Sequence, residues 1–159
     1  MKLTRKSDGK SLDAKIQKLI ATEFEGLKGS PNFRFDWSLE RHSDVYKIVL
    51  LSDLDEILGL IMLTDEPSLR RIHIELLESS IINQGADKKL DNIAGCLIAF
   101  AISLSFKVGY LGYVSLEPKG HLIGLYRDKY GFEEVSYLMI SQVPNSQEIL
   151  NKYLYNEEE

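Results

Sequence analysis

The run IAGCLIAFA at residues 93–101, continued by ISLSF to residue 106, constrains this chain more than any other segment. Its apolar residues fall on every side of a helical period, with only Ser103 and Ser105 as polar exceptions, so a helix here has to be deeply buried. The run is far too short to span a bilayer. On one side lies RIHIELLES (residues 71–79), which alternates as a strand does; on the other lies GYLGYVSLEP (109–118), a second strand-like stretch. Two strands joined through a buried helix are parallel neighbours, and the crossover is right-handed.

The remaining pattern is organised around this unit. Residues 12–27 carry Leu12, Ile16, Leu19, Ile20, Phe24 and Leu27, which predicts a helix with Ser11 as N-cap, stopped by GSPN. Phe33, Phe35, Trp37 and Leu39 alternate and predict a strand. Residues 45–52 and 56–64 are rich in β-branched and apolar residues and predict a hairpin. Residues 121–130 predict a short helix ended by Gly131, residues 133–141 a last strand, and residues 146–155 a final helix before the acidic end NEEE. There is no internal repeat and no low-complexity linker. Antiparallel strands followed by a parallel βαβ crossover make this an α+β (mixed α/β) single domain, residues 1–159, around one central mixed sheet.

Length and charge narrow the function classes. A chain of 159 residues suits one domain with its own core. The net charge of −5 makes nucleic acid an unlikely partner on bulk electrostatics, although a local basic patch remains compatible with it. The single cysteine, Cys96, excludes an internal disulfide and a cysteine-based metal cluster. The start MKLTRKSDGK is too polar for the apolar core of a signal peptide, and the expectation is a cytoplasmic protein without a membrane partner. His42, His73 and His121 do not share a metal-ligand spacing, so no metal is expected.

Between the strand at 71–79 and the buried helix lies SIINQGADKKLDN, a loop that pours into a helix start, which is where proteins hold phosphates. It reads either as a phosphate cradle or as a plain polar connection. Downstream, LYRDKYGF at 125–132 closes the short helix. This order of elements, over residues 33–141, resembles the GNAT family of acyl-CoA-dependent N-acetyltransferases. LYRDKYGF is similar to the family's Y-x-K-x-G-F, with one extra residue between Tyr126 and Gly131. The family's pyrophosphate loop reads Q/R-x-x-G-x-G/A. With Leu97 and Ile98 at the paired apolar positions of the following helix, Lys89 takes the Gln/Arg slot, Asn92 the first glycine slot and Ala94 the second. Asparagine tolerates left-handed backbone almost as well as glycine does. Ala94 and Gly95 keep bulk low where backbone must be approached, and Lys88 and Lys89 bring charge as points rather than forks.

The resemblance implies a set of roles. Loop residues Lys89, Asp91, Asn92, Ile93, Ala94 and Gly95 would hold the pyrophosphate of acetyl-CoA, the co-substrate. Leu77, Glu78 and Ser79 would offer backbone to the pantetheine arm and polarise the acetyl carbonyl. Glu75 would be the general base for an unidentified amine acceptor, or else a surface carboxylate paired with Arg71 or His73. Tyr126 would protonate the departing thiolate, or else be a half-buried aromatic as Tyr130 is expected to be. Lys119 would reach a phosphate, or else be solvated. Ser115, pointing out of the strand at 109–118, would line the pocket. His73 reads as a rim residue, Cys96 as core, and Trp37 as core or a wall of the acceptor site. The function implied is acetyl transfer from acetyl-CoA to an amine by direct attack. The alternatives are a CoA-binding or interaction domain of this fold without turnover, and a tRNA-acetylating toxin. A second copy of the chain is a candidate partner.

Overall fold

The computed structural model describes residues 1–156; the acidic end at 157–159 lies outside the described residues. The chain sorts into two compact units, one made of residues 1–62 and 76–97, the other of residues 63–75 and everything from residue 98 onward.

In the first unit the strands run in the order β6 (Leu90–Asp91), β1 (Lys2–Arg5), β2 (Ser11–Lys18), β3 (Asp44–Leu50), β4 (Gly59–Glu66) and β5 (Arg71–Ser79), of which β4 and β5 continue into the second unit. The predicted helix over 12–27 is corrected here. Residues 11–18 form β2, paired antiparallel with β1 and β3, and only Ala21–Gly26 form a helix, α1. Leu12 and Ile16 are four residues apart, a spacing that satisfies both a period of 3.6 and a period of two. The intervening Ala14, buried between Asp13 and Lys15, completes the strand pattern. At the start of α1 the Glu23 carboxylate accepts from the Ile20 amide at 3.1 Å.

The predicted strand at Phe33–Leu39 is also absent. Trp37–Glu40 is a 3-10 turn, and Phe33 and Trp37 are buried while Phe35 and Leu39 are exposed. The cause is Glu78 on β5. Its carboxylate accepts from the Arg34 amide at 2.7 Å, the Phe35 amide at 3.3 Å and Trp37 Nε1 at 2.9 Å. Two backbone amides that a strand would have given to a ladder, and the Trp37 indole N–H, go to one carboxylate instead. Trp37, Phe33, Leu19, Phe24, Leu27, Val45 and Leu60 then form this unit's core, with Leu76 packed against it.

In the second unit β4 and β5 are followed in the sheet by β7 (Val114–Leu116), β9 (Leu138–Ser141) and β8 (Glu133–Val135). The buried helix is α2 (Ile93–Lys107), whose chain leaves the first unit at Leu97. Its residues Ile98, Ala99, Ala101 and Ile102 are fully buried. The crossover is parallel as expected: Ile72, His73 and Ile74 pair with Val114, Ser115 and Leu116. β7 is shorter than predicted because Gly109, Leu111 and Gly112 take φ of 89°, 57° and 82°, a turn that no strand accommodates. The predicted strand at 133–141 divides into β8 and β9, with Val135 opposite Leu138 and Ser136 at φ 58°. α3 (Ile123–Tyr130) ends at Gly131, and α4 (Asn145–Ile149) runs on into a wider π-type turn to Leu154. No helix among the described residues is long and apolar enough to cross a membrane.

Replacing Glu78 with alanine leaves three donors without their acceptor. We expect a loss of about 2 kcal/mol, hence a melting temperature lower by roughly 4–8 °C, with Glu78→Gln recovering part of it. An unchanged melting temperature on thermal denaturation of Glu78→Ala would refute this account of the Phe33–Glu40 segment.

Candidate active site

β5 carries the first group of predicted residues. Its register with β7 stops at Ile74 opposite Leu116, yet β5 itself continues through Glu75, Leu77, Glu78 and Ser79. The Glu78 side chain is committed to the Arg34–Trp37 segment, so only its backbone is available for other work. The Ser79 carbonyl accepts from Gln84 Nε2 at 2.6 Å.

The loop into α2 is a built structure. Asn83, buried, donates through Nδ2 to Ser80 Oγ at 2.8 Å and accepts from the Leu90 amide at 2.9 Å. The Lys89 amide donates to the Ile82 carbonyl and the Lys89 carbonyl accepts from Lys6. β6 pairs with β1, with Thr4 opposite Asp91 and Arg5 opposite Leu90. Asp91 Oδ1 accepts from the Asn92 amide at 2.9 Å and sits 2.9 Å from Lys88 Nζ. The amides of Lys89, Leu90 and Asn92 are therefore already bonded within the chain. The open ones are the first-turn amides of Ile93, Ala94 and Gly95, which a helix start leaves without an intrahelical partner; the first helical bond runs from Cys96 to Asn92. Asn92 takes φ 77°, the left-handed conformation for which the family pattern carries glycine. Lys89 is exposed, and a cavity of about 710 Å³ is lined by Lys88, Lys89, Arg5 and Lys6. The last two come from β1 and its turn, and no local sequence signal joins them to the loop.

In the second unit, Tyr126 is half-buried on α3. Gly131, at φ 70°, caps α3, and the Phe132 amide returns to the Tyr126 carbonyl at 3.0 Å. That closure sets the Phe132 ring 5.9 Å from the Tyr126 ring and leaves Tyr130 at 6.2 Å. Burial among these rings pushes the Tyr126 phenol up from its ordinary value, so it holds its proton at neutral pH. Lys119 is exposed and precedes the 3-10 turn Gly120–Leu122. Glu75 keeps 39 % of its side-chain surface, and its Oε2 lies 4.0 Å from His73 Nε2; Arg71 instead bonds Glu66 at 2.9 Å. His73 is well covered, with Nδ1 at 2.7 Å from the Oγ of the buried Ser115. That pair was invisible before the strand register was known. No group of three metal-ligating side chains stands together among the described residues.

Cys96 is fully buried at the start of α2, and desolvation pushes its thiol up to about 12. The thiol should resist a disulfide reagent in the native protein and react only on unfolding; reaction of the folded chain at a free-thiol rate would contradict this burial. An ordinary thiol ionises near about 8.5, so the fold loses stability as pH climbs from there towards about 12, and this group costs it nothing at lower pH.

No protein-family model matches the sequence, and no curated protein matches it. Solved structures do. Nourseothricin acetyltransferase matches at a TM-score of 0.57 and 13 % identity, over 82 % of this chain and 99 % of that one. The spermidine/spermine N-acetyltransferase SpeG from Vibrio cholerae matches at 0.61 and 13 %, over 88 % and 98 %. AtaTR bound with AcCoA matches at 0.59 and 14 %, over 87 % and 98 %. The order of elements, the parallel β5–β7 crossover around α2 and these matches agree: the chain has the α+β fold of the GNAT acetyltransferases.

Proposed function

We propose that this chain is an acyl-CoA-dependent N-acetyltransferase that moves the acetyl group of acetyl-CoA to an amine by direct attack. The observation that carries the reading is the edge of β5, whose pairing with β7 ends at Ile74 while the strand runs on to Ser79. Backbone groups released there suit an extended amide-bearing arm such as pantetheine, which adds to a strand edge by main-chain hydrogen bonds. The backbone of Leu77, Glu78 and Ser79 takes that arm and polarises the thioester carbonyl.

The pyrophosphate falls to the first turn of α2. Its amides at Ile93, Ala94 and Gly95 and the helix dipole favour an anion, Asn92 turns the backbone, and Lys89 supplies charge. Asp91 does not face the anion with a free charge; it is tied to Lys88 and the Asn92 amide. Glu75 receives the proton of the incoming ammonium. The freed amine attacks the acetyl carbon, the carbon–sulfur bond breaks, and Tyr126 gives its phenolic proton to the thiolate. The raised Tyr126 phenol suits an acid that has to stay protonated until that moment. The acceptor is an amine of unnamed class. AtaT has been solved complexed with an acetyl-methionyl-tRNA, so an acceptor carried on RNA belongs within the range to be tested. A reducing, cytoplasmic setting is part of the same proposal, supported by the lone buried thiol of Cys96.

Acetyl-CoA at a hundred times its dissociation constant should stabilise the fold by about 2.7 kcal/mol in a thermal-shift assay, and ATP should not. The absence of any shift at saturating acetyl-CoA would end this reading. Ala94→Asp sets a carboxylate among the anion-binding amides and should abolish the shift while the protein stays folded; retained binding would mean that the pyrophosphate lies elsewhere. Tyr126→Phe should keep acetyl-CoA binding and lose on the order of a hundredfold in thiol release. Unchanged release by that variant would remove Tyr126 from the reaction.

A further inference from the structure

The chemistry above leaves His73 unused, yet its surroundings are built for a proton. The imidazole keeps 13 % of its side-chain surface and stands between two carboxylates, Glu66 Oε1 at 4.0 Å from Nδ1 and Glu75 Oε2 at 4.0 Å from Nε2. Ser115 Oγ touches Nδ1 at 2.7 Å. Behind Glu66 stands Arg71 at 2.9 Å, itself interacting with Tyr113. Glu66 thus has a permanent partner. Glu75 has none: among the described residues His73 is the only basic group within 4 Å of it. Ser115, wholly buried and facing an imidazole, has no access for a nucleophile's work.

We propose that His73 is the proton store behind Glu75, a positioning residue that makes the exposed carboxylate competent to deprotonate an acceptor ammonium. This deepens the acetyltransferase reading and rests on it. The ring's hydrogen bond, Nδ1 to Ser115 Oγ at 2.7 Å, is satisfied by the tautomer with hydrogen on Nδ1, donated to that oxygen. The lone pair of Nε2 then faces Glu75. A carboxylate alone is a poor base for an ammonium; an ordinary imidazole is stronger by about two pH units. A water bridging the 4.0 Å between Glu75 Oε2 and Nε2 passes the proton to the ring, giving an imidazolium with a carboxylate 4.0 Å from each nitrogen.

The balance is complete. One proton leaves the acceptor ammonium and comes to rest on Nε2, the nitrogen lone pair forms the C–N bond as the C–S bond breaks, and the amide nitrogen then sheds its second proton to water. The thiolate takes the phenolic proton of Tyr126, and water restores both side chains. One proton is released per turnover.

Two measurements on the full chain test this. Histidine NMR, with His73 assigned through His73→Gln, should show the Nδ1–H tautomer at rest. A resting Nε2–H tautomer overturns the proposal. In the second, thiol release from acetyl-CoA is followed with n-butylamine, an ammonium at neutral pH, and with methoxyamine, which is neutral there. His73→Gln should lose at least tenfold more on butylamine than on methoxyamine, a split that a purely structural role does not produce. Equal losses on both overturn it. Should His73→Gln fold poorly, Ser115→Ala gives the same split at smaller size. If wild type shows no acetyl-CoA shift, the acetyltransferase reading falls; if it binds acetyl-CoA and His73→Gln loses equally on both amines, this proposal alone falls.

Discussion

Everything functional here depends on a three-residue parallel register, Ile72–Ile74 against Val114–Leu116. A helix with no polar face cannot lie on a surface, so α2 has to be covered, and covering it fixes β5 and β7 side by side in one direction. The register sets His73 beside Ser115 and ends where β5 still has five residues to run. A one-residue slip would turn His73 and Glu75 to the face that Ile72 and Ile74 occupy, burying charge where the strand now buries isoleucine. The isoleucines therefore protect the chemistry as well as the fold.

The sequence was most legible where period and length left a single answer. Residues 71–79 alternate cleanly and form β5 over those very residues, and α2 runs where apolar residues leave no other choice. Gly131 ends its helix because only a residue tolerant of φ 70° fits there, and an alanine Cβ would also collide with the Asn145 side chain. Asn92 enters the left-handed region for the reason glycine does elsewhere. The failures share one cause, which is that the deciding partner is distant in sequence. Leu12 and Ile16 fit two periods until β1 and β3 select one. The Phe33–Leu39 alternation reads as a strand until Glu78, more than forty residues away, takes its donors. Arg5 and Lys6 reach the loop before α2 only through the β1–β6 pairing.

Environment sorts the two ends of the proposed reaction. Tyr126 is surrounded by aromatic rings and sees no compensating cation, so burial alone acts on it and favours the protonated phenol. His73 is covered too, but with carboxylates at both ring nitrogens. Burial without opposite charge makes a reluctant acid. Cys96 is the control for the first case. It shares Tyr126's desolvation without any exit to a substrate, and its thiol is simply inert.

The loop before α2 extends the argument from protons to anions. Its amides at Lys89, Leu90 and Asn92 are spent inside the chain, and Lys88 is spent on Asp91. A flexible glycine loop wraps its ligand and loses entropy in doing so; here the entropy was lost on folding, through Asn83 and the β6–β1 bridge. What remains for the proposed pyrophosphate site is narrower, three first-turn amides and an exposed lysine, on a loop held by those bonds. Such a site gains by preorganisation what it lacks in donors. In the proposed site the pattern's first glycine is replaced by Asn92: glycine is needed where a loop has to adapt, and asparagine suffices where one residue turns the backbone and its neighbours are held by other bonds.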